Sequence, residues 1–164
     1  MWPIVLALLS AFSIGERLEY SVRYGPIDIG TLKLEVLPRD SVAGEECLHL
    51  RGALAFSRAF SWLCWAQYRR ERWGGISDFV TVRSCKRTRE PKYRAEWTAE
   101  FDQSAGKVFY SDSGRRSLPD SARDMLSLWY YFRALPIRSG DTVRVNAHVD
   151  RRDYRLTATL TGVK

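Results

Sequence analysis

Apolar and polar residues alternate along most of this chain, and no other feature constrains its fold as much. Leu18, Tyr20, Val22 and Tyr24 alternate with Arg17, Glu19, Ser21 and Arg23. After a Gly-Pro turn, Leu32, Leu34 and Val36 alternate with Thr31, Lys33 and Glu35. Successive side chains of a strand point to opposite faces, so each run describes a ribbon with one apolar and one charged side. The pattern returns at Leu48–Phe56, Trp62–Tyr68, Val80–Arg83, Tyr93–Phe101, Val143–Val149 and Tyr154–Leu160. The intervening segments are short and rich in turn residues, which makes sequential strands antiparallel neighbours. The fold class that follows is mainly β: a curved antiparallel sheet or half-open barrel built by one domain of 164 residues.

One segment departs from the period of two. In "LPDSARDMLSLWYYFRALP", Ser121 reads as a helix cap with Asp124 three residues on, and Pro136 ends the run. This predicts a helix at about 121–134 with Met125, Leu128, Trp129 and Phe132 on the face turned to the sheet. The expected inward list is dominated by Tyr20, Tyr24, Phe56, Trp62, Tyr68, Trp97, Phe101 and Tyr154, with alanines beside them. Such residues either fill the interior or leave a cavity.

Residues 1–13 carry no charge, Ile4–Leu9 are apolar, and Ala11-Phe12-Ser13 fits a small-x-small cleavage site. Despite the missing positive n-region, this reads as a signal peptide, so export to the periplasm or beyond is expected, with the single β-rich domain over 14–164. No later segment is apolar and long enough to span a bilayer as a helix. Of the three cysteines, Cys64 and Cys85 lie symmetrically about Gly74-Gly75. A tight hairpin there would bring them within bridging distance, whereas a longer "GGISD" loop would break the match. The net charge of +7 is concentrated at Arg69, Arg70 and Arg72 and from Arg83 to Arg94. It favours anionic partners such as lipid headgroups or glycolipids, or else forms a solvated outer face.

The order of several short motifs resembles a bacterial family, the domain of unknown function 3108. The residues that carry the resemblance are Phe12, Gly15, Glu16, Leu18 and Tyr20; Tyr24, Gly25 and Gly30; Asp124, Leu126, Ser127, Tyr130, Tyr131 and Arg133; and Gly140 with Asp141. The resemblance implies an exported, envelope-facing, β-rich protein without an assigned activity, and it places Phe12 at the start of the folded domain. It also implies further strands beyond "LTGVK", so that the chain reads as C-terminally truncated.

The chemistry-bearing residues are sparse. His49 and His148 are expected on the polar sides of their strands, without metal-ligand spacing. No Gly-x-Ser-x-Gly elbow is present. Cys85 lies among Arg83, Lys86 and Arg87, a setting able to lower a thiol pKa, but without a placed base. Glu16 and Arg133 suggest an ion pair pinning the helix to the opening strand. Basic residues interleave with aromatics from Trp65 to Trp73, yet an exported protein has little occasion to meet nucleic acid. No catalysis, cofactor or metal is expected. The expected role is binding of an apolar or amphipathic ligand, as in lipocalins or lipoprotein carriers. Tyr20, Trp62, Trp97 and Trp129 would line the site, and Arg69, Arg70 and Arg72 would form a basic rim. The alternative is an envelope interaction module with a dry core.

Overall fold

The computed structural model describes residues 12–57 and 66–162. Eight strands follow one another in a single antiparallel meander: β1 (Arg17–Tyr24), β2 (Ile27–Val42), β3 (Glu45–Phe56), β4 (Gln67–Gly74), β5 (Thr81–Arg89), β6 (Arg94–Asp102), β7 (Lys107–Tyr110) and β8 (Gly114–Ser117). The outer strands β1 and β8 do not meet, so the sheet remains open rather than closing into a barrel. One helix, α1 (Met125–Ala134), and a separate hairpin of β9 (Thr142–Val149) and β10 (Arg152–Thr159) complete the fold.

The strand register sorts the side chains into two faces. One row runs Val36, Leu50, Arg72, Ser84, Ala99 and Tyr110, and its neighbour runs Leu34, Gly52, Arg70, Lys86 and Trp97. These rows form the inner face. The outer face carries Glu35, Arg51, Glu71 and Cys85 in one row, and ion pairs link Arg17, Glu35, Arg51 and Glu71 along it.

Two elements share the inner face. Helix α1 lays Leu126, Tyr130 and Ala134 against Leu34, Val36, Leu48, Leu50 and Phe79. The β9–β10 hairpin is joined to the segment before α1 through backbone bonds between Arg123 and both Asn146 and His148. A second apolar cluster, from Trp97 to Phe101, Val108, Tyr110, Leu118 and Ala122, fills the β6–β7 side. Phe12 packs edge-on to Phe79 and Tyr130, with ring centroids 5.7 and 5.5 Å apart. Residues 1–11 of the expected leader, together with Trp62, Cys64 and Trp65, lie outside the described residues.

Several expectations change. The helix starts later than expected, because Asp124, not Ser121, accepts the cap hydrogen bond from Ser127 N at 2.8 Å. Ser121 instead adopts a positive φ of 52° in the preceding turn. The buried stripe of α1 is Leu126, Ser127, Tyr130 and Ala134, while Met125 and Trp129 are half exposed. Tyr24 and Tyr154, expected inside, are exposed. The β4–β5 connection is the longer loop, which sets Glu71 opposite Cys85, and Cys85 is a free thiol.

The expected pin is present. Arg133 Nη1 and Nη2 donate to the two carboxylate oxygens of Glu16 at 2.7 and 3.2 Å. The guanidinium also lies 5.3 Å from the Tyr130 ring centroid. We expect Arg133→Met to lower unfolding free energy by about 1 kcal/mol in urea titration, as a partly exposed bidentate pair does. An unchanged midpoint would show that the pair does not hold the helix.

Candidate functional site: a groove beside a buried polar centre

Strand β4 alternates Tyr68, Arg70 and Arg72 inward with Arg69, Glu71 and Trp73 outward. The expected basic rim is therefore divided. Arg69 faces out and bonds the carboxylate of Glu71. Arg72 is fully buried beneath α1 and serves the fold rather than a rim. Arg70 borders the apolar groove under α1, whereas Arg69 lines shallow depressions elsewhere on the sheet.

Arg72 is the centre of a sealed polar network. Its Nε donates to Ser127 Oγ at 2.5 Å, and its Nη groups reach the carbonyls of Leu48 and Val80 at 3.4 and 3.1 Å. Ser127 Oγ lies 2.9 Å from Thr81 Oγ1, which accepts from Asp124 N at 2.9 Å. Asp124 also accepts from Ser84 Oγ at 3.2 Å. The buried cation is thus balanced at one remove by a buried carboxylate. Burial pulls the Arg72 pKa down to about 10, against the opposing attraction of Asp124 and Asp78. Gly74 leaves room for this arrangement, since a Cβ there would stand 2.6 Å from Arg72 Nη2 and 2.1 Å from Val80 O.

Next to this centre the described residues leave part of the inner face uncovered. The groove there has a volume of about 260 Å³. Leu32, Leu34, Leu54 and Tyr68 form its floor, Met125, Leu126 and Trp129 its helical wall, and Arg70 lies at one side. Gly52 lets α1 approach closely, because a Cβ there would come within 2.8 Å of Leu126 Cδ2. Trp129 is 42% and Tyr20 37% exposed, and their rings meet edge-on at 5.6 Å. The site residues expected from sequence are only partly brought together. Trp129 and Arg70 line the groove, and Tyr20 adjoins it through its contact with Trp129. Trp97 is buried in the other cluster, edge-on to Tyr110 at 5.0 Å.

His148 and Cys85, outside the groove, are engaged structurally. His148 is buried rather than on a polar face: its Nε2 lies 2.8 Å from Tyr110 Oη and its Nδ1 2.5 Å from Asp153 Oδ1. Burial pushes the Cys85 thiol pKa up, despite the basic neighbours in sequence. Among the described residues, no group of three or more His, Cys, Asp and Glu stands ready to hold a metal ion. Nor is any described helix long and apolar enough to cross a membrane.

Sequence reasoning missed Leu32, Leu54 and Met125 as groove residues. The first two stood in the alternating pattern as generic core, and Met125 was assigned to the buried helical face. The fold is thus an open antiparallel meander that carries a helix and a hairpin on one face, with an apolar groove left between the helix and the sheet. The model of the family described as Protein of unknown function (DUF3108) matches residues 19–163, and the chain belongs to that family. No curated protein and no solved structure matches it.

The network makes a separable prediction about Asp124. Asp124→Asn retains a good helix cap but removes the countercharge of Arg72, and should cost about 3 kcal/mol of stability. Asp124→Ala should lose about 1 kcal/mol more, the usual worth of a cap. Urea unfolding of both variants checks this, and a neutral Asn variant would mean that Arg72 does not depend on the carboxylate.

Proposed function

We propose that this chain is a non-enzymatic protein of the bacterial envelope that binds an apolar or amphipathic molecule in the groove between α1 and the sheet. The observation that carries the reading is the half-exposed Trp129, backed edge-on by Tyr20, in the wall of an almost wholly apolar groove. Exposed aromatic surface costs stability unless something covers it, and a soluble domain retains such surface mainly where it binds. The volume of about 260 Å³ falls just below the ~300 Å³ at which small-molecule sites begin, which suits one alkyl chain rather than a whole multi-chain lipid. The uncharged leader and the family resemblance support export and an envelope location.

A non-enzymatic role is supported by the sealed state of the polar centre. Thr81, Ser84, Asp124 and Ser127 are all 2% or less exposed and direct their hydrogen bonds to one another and to Arg72. The second reading, a docking module for envelope proteins, rests on the outer edge of β1, which no other described strand pairs and where Tyr24 is exposed. An open edge of that kind is a template for strand addition.

The test follows Trp129 fluorescence during titration with a single-chain amphiphile below its micelle concentration, in a variant with the other five tryptophans, Trp2, Trp62, Trp65, Trp73 and Trp97, replaced by phenylalanine. We expect a saturable change in Trp129 emission. In the parent protein, Trp129→Ala should weaken binding about tenfold, equivalent to about 1.4 kcal/mol, with little change in unfolding midpoint. Equal affinity in the parent and Trp129→Ala proteins would remove the groove from consideration and favour the docking reading.

A further inference from the structure

The groove ends at Arg70, and Lys86 stands next to Arg70 on the neighbouring strand. Arg70 and Lys86 are directly paired across β4 and β5 on the inner face, and both side chains are largely buried. A single carboxylate occupies them. Arg70 Nη2 donates to Asp150 Oδ1 and Oδ2 at 2.8 and 2.7 Å, and Lys86 Nζ donates to Oδ1 at 2.8 Å. Burial alone would raise the Asp150 pKa, but the hydrogen bonds from Arg70 and Lys86 outweigh it and bring the pKa below the ordinary carboxylate range.

Asp150 comes from an unusual place. It forms, with Arg151, the two-residue turn of the β9–β10 hairpin, and both residues have positive φ, 49° and 67°. Such turns favour Asn or Asp followed by Gly, so Asp150 suits its position and Arg151 stands where glycine is usual. Here the turn is fastened by Arg151, which bonds Asp112 and lies over the rings of Tyr110 and Trp97. The strained turn thereby holds one carboxylate over Arg70, at the end of the groove, and Lys86 beside it. That carboxylate remains 44% exposed, so rotation of one side chain releases it without moving the backbone.

Resting on the groove's being a ligand site, we infer that Arg70 and Lys86 form the headgroup site for a single-chain amphiphile with an anionic head, and that Asp150 is an internal competitor which the head displaces. The geometry fits a phosphate or carboxylate, either of which can take the bidentate position now held by Asp150. Two cations facing one carboxylate leave a net positive charge, so a doubly charged phosphate head is matched better than a singly charged one. The alkyl chain then runs from Arg70 over Leu54 and Leu32 towards Trp129. The latch also lowers affinity for every anionic ligand by the cost of breaking the Asp150 contacts, which gives the site a threshold against weak binders.

Calorimetric titration of the full chain with dodecyl phosphate, dodecanoate and neutral dodecyl maltoside tests this, each probe below its micelle concentration. Asp150→Asn removes the competing charge and keeps a residue suited to the turn. We expect it to bind the anionic probes about tenfold more tightly than the parent protein and the neutral probe equally. Arg70→Gln combined with Lys86→Gln should abolish the preference for anionic heads. A larger gain for dodecyl phosphate assigns a phosphorylated head, and a larger gain for dodecanoate a carboxylate. If the neutral probe binds but Asp150→Asn leaves the anionic affinities unchanged, the latch is overturned and the groove stands. If no probe binds any of the proteins, the groove reading and the latch both fall.

Discussion

The burial of Arg72 conditions the rest of this structure. A guanidinium placed in the middle of a sheet's inner face must be given acceptors, or the sheet cannot be covered there. The acceptors come from three directions: the carbonyl of Leu48 on β3, that of Val80 before β5, and the hydroxyl of Ser127 on α1. Meeting the needs of one side chain therefore fixes where the helix begins, how it is rotated and how the β4–β5 loop closes. Asp124 serves the same requirement twice, as helix cap and as countercharge. The rotation that turns Ser127 to Arg72 also turns Met125 and Trp129 outward, and that leaves the groove.

This view gives physical content to the residues that carry the family resemblance. Phe12 enters the core, Glu16 clasps Arg133, Asp124 caps α1, Ser127 joins the Arg72 network, and Tyr130 is fully buried. Asp141 accepts from Arg138 N at 2.7 Å and holds the turn after the helix. These residues build a clasp between the opening strand, the helix and the sheet. They are pieces of architecture, and membership of the DUF3108 family is consistent with a shared scaffold.

Most of the sheet was legible in the sequence because its inner face is apolar wherever a core packs on it. Strands β1, β2, β3, β6, β9 and β10 all show the period of two. Strand β5 shows it only at its start, since its inner residues Ser84, Lys86 and Thr88 are polar and its outer residues Arg83, Arg87 and Arg89 are basic, so both faces look solvated. For the same reason the run through Arg69, Arg70 and Arg72 suggested a rim: composition shows charge, but only register shows that alternate arginines face opposite ways. The helix was found and its rotation was not. A purely apolar count favours Trp129 and Met125 inward, whereas the buried demand of Arg72 selects Ser127. Asp150 gave no signal beyond a turn in "VDRRDY", because its role depends on a hairpin folding across the sheet onto residues 64 and 80 positions away.

The groove is thus what remains when a polar centre, rather than apolar area alone, decides how a helix seats on a sheet. Its apolar lining, its exposed tryptophan, Arg70 at its end and Lys86 beside Arg70 together describe a place for one chain with a charged head. The most direct measurement is native mass spectrometry of the full protein purified without detergent from a bacterial envelope fraction, followed by organic extraction and identification of anything bound. The account predicts one single-chain anionic amphiphile per protein, lost in Trp129→Ala. A mass equal to the bare chain, unchanged after incubation with an envelope lipid extract, would contradict it.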